Sequence, residues 1–208
     1  MLNLAKKLFP INRSISGKGV RKTLKILKKK IPNLKIKSFK SNTKVFDWRI
    51  PLEWKINDAF ILAPSGKKIC EFKKNNLHVV GYSVPINKYL KLNELKNKIY
   101  TFPNDKTAIP YVTSYYKKDW GFCLSEREKN KLSEKGKYKA FIDSQHLKGK
   151  LNYGEVVIKG KSKKEIFFST YICHPSMANN EISGPVLLTY LAKWIGGKSR
   201  KFSYRFIF

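Results

Sequence analysis

Val20, Leu24, Leu27 and Ile31 fall at i, i+4, i+7 and i+11 among lysines, one apolar stripe that predicts a half-buried helix. Ser14 or Ser16 can cap its start and Pro32 stops it, which leaves Lys28, Lys29 and Lys30 on its wet side. Alternating apolar and basic residues over 34–39 predict a short strand, and the aromatic-dense stretch 45–54 reads as a boundary packed between two units. Beyond it the period becomes two. Residues 59–63 and 67–72 flank Pro64-Ser65-Gly66, a hairpin signal, and 77–84 is a further strand. Leu92, Leu95 and Ile99 fit a short helix, while 111–116 and 121–124 read as strands. Ser125-Glu126-Arg127-Glu128 is a capping box opening a polar helix that ends near Gly136, and 138–143 is again a strand. From Leu151 the pattern turns α/β: strands at 155–159 and 165–172, a polar loop at 173–183, a helix body at 186–195 stopped by Gly196, and a strand beginning at Phe202. The strand 165–172 is almost wholly apolar or aromatic, as in a sheet centre buried on both faces.

The 208 residues are 42% apolar and 13% aromatic, enough for a packed core and unlike a disordered tail. The net charge of +30 points to nucleic acid or another polyanion. Against that, the excess is lysine spread evenly along the chain, with only Arg13, Arg21, Arg49, Arg127, Arg200 and Arg205 able to offer a bidentate fork. Biased composition accounts for the charge better, and nucleic acid is discounted as a partner. No run approaches the ~18 apolar residues of a membrane helix, and the basic start lacks the apolar core of a signal peptide. Three widely spaced cysteines, Cys70, Cys123 and Cys173, argue against a disulfide framework or a Cys-type zinc site, so a cytoplasmic location is expected. A final Phe-Ile-Phe leaves an apolar strand without a turn, and the chain is read as C-terminally truncated.

The loop from Cys173 to Ser183 is the most informative for chemistry. It runs from a strand's C-terminal end to a helix N-terminus, where open α/β sheets bind ligands, and it gathers His174, Asn179, Asn180 and Glu181. A neutral imidazole with a carboxylate suits zinc, the carboxylate serving as ligand or general base. The plainer alternative is that His174 hydrogen-bonds the loop while Asn180 or Ser183 caps the helix. Ser14–Gly19 is only loosely phosphate-loop-like and is explained as the start of the first helix. His78 reads as a structural residue in mid-strand and His146 as an exposed turn residue. A thiol–imidazole pair of Cys173 and His174 is disfavoured, because neighbours on a strand point to opposite faces.

The string Ser169–Glu181, followed by Ser183-Gly184-Pro185, closely resembles a bacterial family of aminopeptidase-like proteins, often named polysaccharide-biosynthesis proteins with an aminopeptidase-like domain. The strings 8–17, 45–48, 76–83, 109–116 and 120–123 resemble the same family, so the likeness runs along essentially the whole chain. It implies a zinc-exopeptidase-like α/β fold, a mixed sheet with helices, interrupted by a small mainly β inserted domain: residues 1–54 and 146–208 form the aminopeptidase-like part and 55–145 the insert. In related zinc aminopeptidases a strand-end His binds metal, an Asp two residues later orients it, and an Asp before a Ser-Gly helix start bridges two metals. Carried over, the ligand is His174, the orienting position is Ser176 and the bridging position is Asn180, beside Glu181. A neutral amide cannot hold two zinc ions together, so Glu181 takes the role, or the site holds one metal or none. The expected metal set is therefore His174, Asn180 and Glu181, with Glu181 as catalytic base.

The resemblance implies zinc as cofactor and hydrolysis of a peptide or amide bond by the full-length protein, with this chain alone inactive. The expected substrate is a small molecule, peptide or glycan, the resemblance implies a link to polysaccharide biosynthesis, and no membrane association is expected. The competing expectation is a non-catalytic scaffold that binds glycan or peptide, with aromatics at 111–116 and 120–122 available to stack on sugar rings.

Overall fold

The computed structural model describes residues 1–133 and 135–208. In chain order the elements are helices α1 (Leu2–Leu8) and α2 (Lys18–Lys30), strands β1 (Lys35–Lys40), β2 (Lys44–Val45), β3 (Trp48–Arg49), β4 (Glu53–Leu62), β5 (Lys68–Ile69) and β6 (Ile86–Leu90), and helix α3 (Leu92–Lys96). Then come β7 (Ile99–Tyr100), β8 (Phe122–Cys123), α4 (Glu126–Lys129), β9 (Tyr138–Leu147), β10 (Lys150–Ile158), β11 (Glu165–Ser169), α5 (Ser183–Gly196) and β12 (Ser203–Ile207). The chain divides into two compact units, one of Met1–Glu53 with Lys148–Phe208 and one of Trp54–Leu147.

The first unit carries a four-stranded mixed sheet of order β1-β10-β12-β11. β1 and β12 both run antiparallel to β10, while β11 and β12 are parallel and joined through α5. Helices α1, α2 and α5 pack on one another over this sheet, and their apolar stripes close on Val156 and Phe206. The α2 stripe is buried as its spacing predicts, with Val20, Leu24, Leu27 and Ile31 each at most 3% exposed. At about 25 cal/mol per Å² of apolar surface, such side chains are what fix the helix to the sheet. Neither Ser14 nor Ser16 caps α2: the N-cap is Gly17, and the Ser14 hydroxyl donates to the Ser16 carbonyl.

β11 departs from expectation. It lies at the edge of the sheet, not its centre, and Phe167 is 61% exposed. An apolar run reports burial only when a neighbour covers each face. Here Phe168 stacks on Phe206 at 5.1 Å on the helix-covered side, while Phe167 stands on the other.

The second unit is built on a sheet of order β5-β4-β9-β6 and a β7–β8 pair. The predicted hairpin is present, with Ile61 opposite Ile69, and the Ser125–Glu128 capping box starts α4. α4 ends at Lys129, capped at Asn130, so it stops well short of the end expected near Gly136. The segments 77–84 and 111–116 are not strands; they meet at one bridge, Gly81 to Thr113. His78 accordingly sits in a short 3₁₀ turn, its Nδ1 2.9 Å from the Cys123 carbonyl oxygen. His146 lies on β9 against the Tyr82 ring, and burial lowers its pKa, so it is not the exposed turn residue expected. No helix among the described residues is long and apolar enough to cross a membrane.

Candidate metal centre

β11 ends at Ser169, and the chain leaves the sheet through Ile172, which is buried, before a wide π-type turn at Ala178–Ile182 runs straight into α5. Such turns carry an extra residue per repeat and often re-aim a side chain at functional sites. The Glu181 amide donates to the Met177 carbonyl at 3.2 Å, and the Ser183 hydroxyl closes the turn on the Asn179 carbonyl. Gly184 allows α5 to start hard against the strand end, since a Cβ there would lie 2.3 Å from Thr170 Oγ1. The result turns Glu181 inward: it is 0% exposed.

The buried carboxylate meets His174. Glu181 Oε1 pairs with His174 Nδ1 at 2.7 Å. Oε2 is buried with no hydrogen-bond partner among the described residues, a costly state for an anion. Burial pulls the His174 pKa down, but the side chains and charges of Cys173 and Glu181 outweigh it and push it up to about 10. A metal binding this imidazole must displace that proton.

Cys173, His174 and Glu181 form a group whose ligand atoms all lie within 4.8 Å of one another. Thiolate, imidazole and carboxylate are the three donor types zinc takes, and an unmatched buried carboxylate oxygen is where a cation is wanted, so the residues fit zinc. Of the predicted residues, the structure brings His174 and Glu181 together and leaves Asn180 exposed on the turn. Ser176, at the orienting position, has a left-handed backbone (φ 42°) and donates its hydroxyl to the Phe9 carbonyl at 3.1 Å.

Two participants were missed. Cys173 was set aside on the alternation of a strand that ends four residues earlier. Arg13, 2% exposed, donates from Nε to the His174 carbonyl at 2.9 Å and from Nη1 to the Leu8 carbonyl at 2.7 Å. Burial lowers the Arg13 pKa, and the charges of Glu181 and Cys173 act to raise it. The only signal for Arg13 was its rarity as an arginine among lysines.

A strand-end imidazole and a carboxylate just before a helix thus sit on a mixed sheet packed under α1, α2 and α5. A family profile described as a domain of unknown function (DUF4910) matches residues 2–208, and the chain belongs to that family. A Clostridium acetobutylicum protein, provisionally named a polysaccharide biosynthesis protein with aminopeptidase-like domain, is 50% identical over 99% of this chain and 47% of its own length. A crystal structure from the same organism, provisionally called a peptidase, aligns with TM-score 0.94 over 48% of that chain. The zinc aminopeptidase BSAP from Bacillus subtilis shares the fold at TM-score 0.62 and 11% identity, covering 99% of this chain and 58% of its own. The chain thus spans about half the length of the relatives it matches at 50% identity.

Proposed function

We propose that this chain supplies the His174–Glu181 side of a zinc site in an aminopeptidase-like metallohydrolase acting on a peptide or other amide bond, in the cytoplasm. The observation that carries the reading is the fully buried Glu181 carboxylate at the strand-to-helix turn, one oxygen paired with His174 and the other without a hydrogen-bond partner among the described residues. Zinc, when bound, supplies Lewis acidity and an activated water. His174 offers Nδ1, Glu181 offers a carboxylate oxygen as ligand or as acceptor of a proton, and Arg13 pins the His174 backbone so that both donors keep their places. The name of the 50% identical relative supports a setting in polysaccharide biosynthesis.

The test is hydrolysis of aminoacyl reporters by a protein of the relatives' full length, with zinc measured in parallel. Activity and zinc should both fall in His174→Ala, while Glu181→Gln loses activity at least as strongly as zinc. Zinc at background, unmoved by His174→Ala, contradicts the reading.

A second reading is a non-catalytic scaffold that binds glycan or peptide. It is favoured by the exposed amide of Asn180 and the Ser176 hydroxyl committed to Phe9, at the two positions where the family resemblance implies carboxylates. It predicts oligosaccharide or peptide binding by the full-length protein without turnover of any reporter.

A further inference from the structure

We propose that Cys173 is a zinc ligand, so that the metal centre in this chain is a sulfur-containing one; the inference rests on the zinc reading above. Three observations lead there. Cys173 Sγ shares a 4.8 Å cluster with the donor atoms of His174 and Glu181. The strand alternation that would separate neighbouring side chains does not apply, because β11 stops at Ser169 and residues 173 and 174 lie in a loop. Asn180, next to Glu181, is exposed and carries no charge, so it supplies no second negative donor.

Charge balance then favours sulfur. With His174 neutral, the Glu181 carboxylate contributes one negative charge against the two positive charges of zinc. A Cys173 thiolate contributes the second, and the donors then number three, as in catalytic zinc sites. A thiolate, imidazole and carboxylate set also selects zinc or cobalt over magnesium or manganese, which prefer all-oxygen sites. The other two thiols do not compete: Cys70 and Cys123 are buried, and burial raises both, Cys123 to about 12.

The experiment is a titration of the 208-residue chain with Co²⁺, followed by absorption, and then with Zn²⁺ against a competing chelator. One equivalent of Co²⁺ should produce a sulfur-to-cobalt charge-transfer band that persists in a Cys70→Ala/Cys123→Ala control. The band should vanish in Cys173→Ser and in Cys173→Ala. Zinc affinity in both variants should fall at least about tenfold, the loss that even outer-shell changes cause. Circular dichroism separates lost ligation from lost fold, and the two substitutions guard against one of them failing to fold. Co²⁺ bound in a His174-dependent way without the sulfur band, with wild-type zinc affinity in Cys173→Ser, overturns the sulfur ligand and leaves the zinc reading standing. A folded chain that binds neither metal overturns both.

Discussion

Arg13 and His174 are 161 residues apart in sequence and joined by a hydrogen bond from Arg13 Nε to the His174 carbonyl oxygen at 2.9 Å. The guanidinium is buried, its second bond goes to Leu8, and its Nη2 has no hydrogen-bond partner among the described residues. One side chain thus ties the turn after α1 to the loop that carries the candidate metal donors.

Replacing Arg13 by Met removes both bonds and leaves the Glu181 carboxylate without its buried neighbouring charge. Urea unfolding of Arg13→Met should show a loss of about 2–4 kcal/mol. Arg13→Lys, which keeps the charge but not the fork, should recover only part of it. A loss under about 0.5 kcal/mol in Arg13→Met would mean that the loop holds itself.

Gly19 tests the same tie from the other side. A Cβ at this position would stand 1.8 Å from the Asn12 carbonyl oxygen and 3.1 Å from Arg13 Cα, both backbone atoms that cannot rotate away. Gly19→Ala must therefore push the 12–13 segment off α2. It should cost about 1–3 kcal/mol despite alanine's better helix propensity. Its zinc affinity should also fall, because Arg13 moves with that segment. An alanine variant as stable as the parent would contradict the close approach.

Glu181→Gln separates the carboxylate's charge from its shape. In the parent, zinc at a hundred times the dissociation constant should add about 2.7 kcal/mol of stability, read as a melting temperature that rises with zinc concentration. In Glu181→Gln that concentration dependence should be lost. A full zinc shift in the glutamine variant would remove Glu181 from the donor set.

Much of this was legible beforehand where periodicity decides structure. The stripe Val20, Leu24, Leu27, Ile31 identified α2, and the Ser125 capping box identified α4, because both signals are local. What failed depended on tertiary neighbours. The apolar run at Phe167 looked like a sheet centre but lies on the edge strand, since periodicity cannot say which strand pairs next to which. Residues 77–84 and 111–116 have strand-like composition, yet a left-handed Tyr82 (φ 66°) breaks the first, and the two meet at a single bridge, Gly81 to Thr113. At the candidate site, His174 and Glu181 stand out in the loop sequence, and the structure brings their side chains to 2.7 Å. Cys173 was lost to an overlong strand, and no sequence rule links Arg13 to a carbonyl so far along the chain.

Arg205 and Glu155 supply a prediction in acid. Glu155 is held below the ordinary carboxylate range, first by Lys37 at 2.5 Å and then by Arg205, which also pairs with Glu165 at 2.8 Å. The folded value lies below the unfolded one of about 4.3, so the stabilisation is present above that pH. It is lost as the pH falls through the lowered folded value. Stability followed from pH 7 to pH 3 should therefore decline less steeply in Glu155→Gln than in the parent. Parallel curves would show that the cluster is fully screened at the surface.

Zinc-edge anomalous diffraction from crystals of the chain grown with zinc reads out whether His174 and Glu181 hold the metal together. An anomalous peak is expected within bonding distance of His174 Nδ1 and a Glu181 carboxylate oxygen, absent in His174→Ala. A map at saturating zinc with no peak there, the carboxylate still paired to the imidazole, would contradict it.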